Sequence, residues 1–120
     1  MGLKFEANRP IYLQIMSHIK KQLISGAKKH GDQIESVREL ALLYGVNPNT
    51  MQKALAELER EGYLHSDRSS GRSVTCDVSA IENLKNFETN KTIGTFIKEM
   101  AELGIGKDAL LKKLEQYISN

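Results

Sequence analysis

Between positions 47 and 53 the chain places Asn47, Asn49, Thr50, Gln52 and Lys53 in one short stretch. These side chains offer amide, hydroxyl and ammonium groups. Asn and Gln amides can pair bidentately with adenine, and a lysine ammonium can reach guanine or a phosphate. Further along, Arg68 and Arg72 flank the polar run Ser69, Ser70, Gly71. Guanidinium groups suit phosphate oxygens or a narrow minor groove. No comparable constellation supports covalent or metal chemistry. His18, His30 and His65 lack metal-ligand spacing, and Cys76 is the single cysteine, so neither zinc nor an internal disulfide is expected. Gly104-x-Gly106 lacks the length and preceding strand of a phosphate-binding loop. Ser69-Ser70-Gly71 fits a hairpin turn better than a nucleophile. The sequence therefore predicts no enzyme and no cofactor.

The elements that must position these groups are legible in the spacing. Pro10 opens a helix over 10–25, with Ile11, Ile15, Ile19, Leu23 and Ile24 at helical spacing and Gly26 as its stop. Gln33 to Glu35 is expected as a short extended piece. Ser36 and Glu39 form an S-x-x-E capping box at the start of a second helix, which Gly45 ends. Asn47 caps a third helix and Pro48 takes its first position. Met51, Ala54, Leu55 and Leu58 mark the inner face of that helix, leaving Asn49, Gln52, Lys53 and Ala56 outward. Two helices joined through Gly45, Val46 and Asn47 make a helix-turn-helix candidate. Tyr63 to Asp67 and Arg72 to Cys76 read as two strands of a hairpin, with Cys76 as a small core residue. Helix, helix-turn-helix and two-stranded wing together are the winged-helix arrangement, in which the third helix presents its N-terminal residues to base edges in the major groove.

Ile81, Leu84 and Phe87 then start a further helical stripe, interrupted at Thr89 to Thr92 and resumed by Ile93, Phe96, Ile97, Met100 and Ala101. A last helix carries Leu110, Leu111, Leu114, Tyr117 and Ile118. The expected fold is thus mostly α: a winged helix-turn-helix over residues 1–77, with three helices and a two-stranded wing, and a small helical dimerisation region over 78–120.

A chain of 120 residues with 40% hydrophobic and 27% charged composition can bury one modest core but no large cofactor-binding domain. No run approaches the ~18 apolar residues of a membrane span. Residues 1–8 lack the apolar core of a signal peptide, so a cytoplasmic setting without a membrane partner is expected. Residues 1–76 hold 11 Lys and Arg against 8 Asp and Glu, whereas 77–120 hold 6 against 7. The basic surplus lies in the part that carries the helix-turn-helix.

The segments Pro10-Ile11-Tyr12-x-Gln14-Ile15, Ser36-Val37-Arg38-Glu39-Leu40-Ala41, Gly45-Val46-Asn47-Pro48-Asn49-Thr50 and Ala54-x-x-Glu57-Leu58-Glu59-Arg60-Glu61-Gly62-Tyr63 resemble the GntR family of bacterial transcription regulators. The resemblance covers about residues 9–76. The helical remainder looks like the short C-terminal region of the YtrA subfamily. The resemblance implies a homodimeric DNA-binding repressor in which residues matching Arg38, Asn47 through Gln52 and Gly71 approach the operator. The chain departs from the family pattern at Glu35, where proline is usual and where a carboxylate near phosphates would weaken binding. It departs also at His30, Ser69, Ser73 and Gln52.

The candidate DNA contacts are Ser36, Arg38, Asn47, Pro48, Asn49, Thr50, Gln52, Lys53, Arg68, Gly71 and Arg72. The expected dimer interface is Ile93, Phe96, Ile97 and Met100, with Leu110, Leu114 and Ile118 from the last helix. The expected partners are a palindromic double-stranded operator and a second copy of the chain. No residue identifies a small-molecule effector. The alternative is a winged-helix protein–protein module without specific DNA binding.

Overall fold

The computed structural model describes residues 4–69 and 71–120. Ser70, expected in the wing loop, lies outside them. Helix α1 (Ile11–Ser25) follows Pro10, whose extended backbone makes it the cap rather than the first helical residue. Its buried stripe is Ile15, Met16, Ile19 and Leu23. Gln14 is also buried. Its Nε2 donates to the carbonyls of Glu6 (2.8 Å) and Arg9 (3.0 Å), and its Oε1 accepts from Glu6 N–H at 2.8 Å. One amide thus satisfies three backbone groups and ties the segment before α1 to the helix.

Helix α2 (Val37–Tyr44) carries the expected capping box. Glu39 N–H donates to Ser36 Oγ and Ser36 N–H donates to Glu39 Oε1, both at 3.1 Å. Gly45 closes the helix at φ 68°, a left-handed conformation that glycine adopts without steric cost. Helix α3 (Pro48–Arg60) begins at once, with Asn47 Oδ1 accepting from Asn49 N–H at 2.7 Å. Met51, Ala54, Leu55 and Leu58 of α3 are wholly buried and share one core with Leu40, Ala41 and Tyr44 of α2 and the stripe of α1. Ala41 is the small residue that lets two helices joined by so short a turn approach.

Tyr44 is the polar member of this core. His18 Nδ1 lies 2.8 Å from its hydroxyl, and the two rings meet edge to face at 5.4 Å. Burial, followed by the nearby Glu35 carboxylate, raises the Tyr44 hydroxyl from 10.0 to about 12. The folded chain therefore holds this proton more tightly than the unfolded chain. The associated stability is complete below pH 10 and is lost as pH rises to about 12. Alkaline denaturation followed by circular dichroism should show that decline, and Tyr44→Phe should flatten it.

Strands β1 (Leu64–Asp67) and β2 (Gly71–Val74) pair antiparallel, with Leu64 opposite Val74 and Ser66 opposite Arg72. Both strands are shorter than expected, and the second begins and ends earlier. The physical reason lies on either side of β2. Its outer edge takes on the extended piece after α1: Gly31 N–H donates to Val74 O, Val74 N–H to Asp32 O and Ile34 N–H to Arg72 O. Beyond Val74 the chain turns to enter the next helix, where Asp77 Oδ1 accepts from Ser79 N–H at 3.0 Å and Ser79 Oγ at 2.6 Å. Cys76 sits on that turn and is exposed, so it is not the core residue the strand pattern suggested.

Helix α4 (Val78–Glu102) runs without the interruption expected at Thr89 to Thr92. That segment is polar but contains neither glycine nor proline, and Thr89 Oγ1 donates to Lys85 O at 2.8 Å within the helix. The chain resolves into two compact units, one reaching to Leu84 and one spanning Lys85–Asn120. The expected division at 77/78 lies earlier because the first turns of α4 bury Ile81 in the winged-helix core. In the second unit, Gly104 ends the first helix at φ 80° and α5 (Lys107–Ser119) follows. Leu110 is buried within the chain, while Phe87, Ile93, Phe96, Ile97, Leu103, Leu111, Tyr117 and Ile118 are exposed.

Candidate nucleic-acid interface

The first turns of α3 carry the amide set. Pro48, Asn49, Gln52 and Lys53 are exposed and Thr50 is half-buried. The outward orientation follows from the inner positions Met51, Ala54, Leu55 and Leu58: once these are buried, the positions between them face solvent. Asn47 divides its amide between two roles. Its Oδ1 serves the helix cap, which leaves Nδ2 as a donor to a base or phosphate. The aligned peptide dipoles of this helix start add a partial positive charge beside the same side chains.

Lys53 is held rather than free. Its Nζ sits 4.1 Å from the centroid of the Tyr12 ring on α1. A cation over an aromatic face is stabilised by the ring quadrupole, so Tyr12 restrains the ammonium on the α3 surface. Tyr12 was not among the expected contacts. Tyr12 is partly buried against the core, and a position beside the apolar stripe of α1 signals packing, not what the face of the ring meets across the fold.

Arg38, on the first turn of α2, is exposed and makes no hydrogen bond or ion pair among the described residues. Ser36 is committed through its Oγ to the capping box. An open cleft of about 460 Å³ lies between the start of α2 and the wing, and its lining includes Ser36, Asp67, Gly71 and Arg72. Fold geometry thus brings one residue of the α2 start beside two expected wing contacts. Glu35, on the same cleft, is matched by Lys28 Nζ at 3.6 Å. That pair blunts the repulsion expected of a carboxylate at this position, though a surface pair is a weak tie.

At the wing tip Arg68 is exposed and unpaired among the described residues. Asp67 Oδ1 accepts from the backbone N–H and Oγ of Ser69, both at 3.1 Å, which closes the start of the turn without a glycine at 69. The backbone donor, then the hydroxyl, holds the Asp67 carboxyl below its usual range. Gly71 has φ 77°, and a Cβ there would meet only the end of Gln33 at 4.0 Å. Its glycine is therefore required by backbone conformation and not by space. Arg72 differs from the expectation. Its side chain is only 18% exposed and its Nε donates to Glu59 Oε1 at 3.0 Å. It is a structural cation first, and Glu59 is the second residue that sequence patterning missed.

Among the described residues no group of His, Cys, Asp and Glu side chains could hold a metal ion, and no helix is long and apolar enough to cross a membrane.

The model of the gntR family of bacterial regulatory proteins matches residues 11–74. The uncharacterized HTH-type transcriptional regulator YhcF of Bacillus subtilis is 34% identical over 117 residues, covering 98% of this chain and 97% of that protein. The HTH-type transcriptional repressor YtrA of the same organism is 44% identical over 69 residues, 58% of this chain and 53% of its own length. Among solved structures, a GntR family transcriptional regulator from Listeria monocytogenes superposes with a TM-score of 0.86 at 38% identity, covering 93% of this chain and 98% of that one. AraR(DBD) in complex with operator ORE1 aligns over 62% of this chain and 93% of its own, with a TM-score of 0.54 and 26% identity. These relatives carry the names of transcriptional regulators, not of enzymes. With a family match over the helix-turn-helix and a relative similar along nearly the whole length, the chain belongs to the GntR family and is a transcriptional regulator built on a DNA-binding winged helix.

Proposed function

We propose that the chain is a cytoplasmic repressor that binds a palindromic operator as a homodimer. Helix α3 enters the major groove with Asn47, Pro48, Asn49, Thr50, Gln52 and Lys53 toward the bases and adjoining phosphates. Arg38 and Ser36 approach from the start of α2, and Arg68 and Gly71 from the wing. The observation that carries this reading is the outward, exposed amide row on α3, flanked by the guanidinium groups of Arg38 and Arg68, which are exposed and have no partner among the described residues. The relative solved with its operator supports it by fold.

Pairing is assigned to the second unit. Ile93, Phe96, Ile97 and Ile118 are all more than one-third exposed in the single chain, and Met100 and Leu114 are half-buried. So much exposed apolar surface on so short a unit calls for a partner. Leu110 is already buried in the single chain, whereas Leu103, Leu111 and Tyr117 join the exposed set. A symmetric pair would read two half-sites about one helical turn apart, ~34–36 Å.

Arg38→Ala tests the base-contact role. Binding to the operator should weaken by about 1–3 kcal/mol, with discrimination relaxed at one base pair per half-site. The measurement is a gel-shift or anisotropy titration against the duplex flanking the chain's own gene. Equal affinity in the variant would remove Arg38 from the interface. If the unmodified chain shifts no duplex at low salt and retains a protein partner instead, the winged helix is an interaction module.

A further inference from the structure

Glu59 stands on the last turn of α3, beyond the residues assigned to base contact. One of its oxygens is bound by both strands of the wing. Oε1 accepts from Ser66 Oγ on β1 at 2.7 Å and from Arg72 Nε on β2 at 3.0 Å. Ser66 and Arg72 are direct cross-strand partners. A single carboxylate oxygen therefore pins one whole rung of the hairpin to the third helix. The two hydrogen bonds, from Ser66 first and then Arg72, hold the Glu59 carboxyl below its usual range.

The place of this rung matters. At the base of the hairpin the buried pair Leu64 and Val74 anchors the wing in the apolar core. Toward the tip the apolar anchors stop, and His65, Ser66, Asp67 and Arg68 are exposed. The rung is held at its other edge by backbone, where Ile34 N–H donates to Arg72 O at 3.0 Å, but that bond joins β2 to the connector before α2. Among the described residues, the side-chain hydrogen bonds that Glu59 accepts are what join the upper wing to α3.

We propose that Glu59 is a positioning residue for DNA binding: it clips the Ser66–Arg72 rung to α3 and so sets where Arg68 and the wing tip stand relative to Asn49 and Gln52. The proposal rests on the operator-binding reading above. It also explains why Arg72 is withdrawn from solvent while Arg68 is not. Simple electrostatics predicts the opposite consequence for a loss of Glu59. Deleting a carboxylate and releasing a guanidinium beside a polyanion would strengthen binding to every duplex. A clip predicts weaker binding to the specific duplex with no loss on unrelated DNA.

The test uses the full chain and a duplex enriched by it from a random-sequence pool. Glu59→Ala and Arg72→Gln should each lower affinity for that duplex on the order of tenfold, and the double variant should be no weaker than either single one. Affinity for an unrelated duplex should stay equal or rise, and hydroxyl-radical protection should fade on the wing side of each half-site. Thermal melts confirm that the variants fold. A second measurement needs no DNA: nitroxide labels at Arg68→Cys and Ala56→Cys, in a Cys76→Ser background, should give a narrow distance distribution that Glu59→Ala broadens. If the unmodified chain enriches no duplex, the operator reading falls and the clip's role in it falls too. If a duplex is enriched but both variants bind it as tightly as the unmodified chain, or more tightly, the clip alone is overturned. An unchanged label distribution overturns it as well.

Discussion

Operator affinity should fall by about 10⁴- to 10⁵-fold as monovalent salt rises from about 50 to about 200 mM, a log–log slope of about −7 to −9 for ~8–10 phosphate contacts. The effect is large because each neutralised phosphate releases a condensed counterion, and the entropy of that release shrinks as bulk salt rises. The number of contacts follows from two copies of one interface. Each copy supplies Lys53 and Arg68, the positive end of α3 and short polar side chains beside them, with Arg38 reserved for a base edge. Arg72 is left out of this set because Glu59 already holds it. A fluorescence anisotropy series over that salt range gives the slope directly. An affinity independent of salt would leave no place for the phosphate contacts and would favour a protein partner for the same surface.

Breaking the pair should cost nearly as much. Ile97→Glu places a carboxylate on the exposed apolar face of α4, at a position half-exposed in the single chain. In a closed dimer interface that charge has no partner among the expected apolar contacts, and a buried unpaired charge is strongly destabilising. Sedimentation equilibrium should show a shift from dimer to monomer. Operator affinity should fall by about 10²- to 10⁴-fold, the avidity lost when two half-sites no longer share one linked ligand. Circular dichroism should be unchanged in shape, because Ile97 contributes no buried core to the single chain. A variant that stays dimeric and binds normally would move the interface off this face.

The two outcomes draw on different parts of the chain, which were not equally legible. The winged helix could be read almost residue by residue. The capping box at Ser36 and Glu39, glycine at 45 and the Asn47–Pro48 start are local devices, each satisfied by residues a few positions apart. The buried faces of the three helices follow from 3.6-residue periodicity, which places the amide row outward with no further information. The strand limits were less legible, because β2 is bounded by the segment at 31–34 and by the Asp77 turn. The break expected in α4 was absent because low propensity over a few threonines and asparagines is a small cost that the rest of a long helix absorbs.

Local order in the residues thus sufficed for the helix-turn-helix, for the exposure of Asn49, Gln52 and Lys53, and for the class of partner, since caps and periodicity act over a few positions. Folding assigned the individual cations: Lys53 to the face of Tyr12, Arg72 to Glu59, with Arg38 and Arg68 left without a partner among the described residues. It also turned Leu110 inward and Cys76 outward. Long flexible charged side chains find their partners across space between elements distant in the chain, and no spacing rule along the backbone encodes that choice.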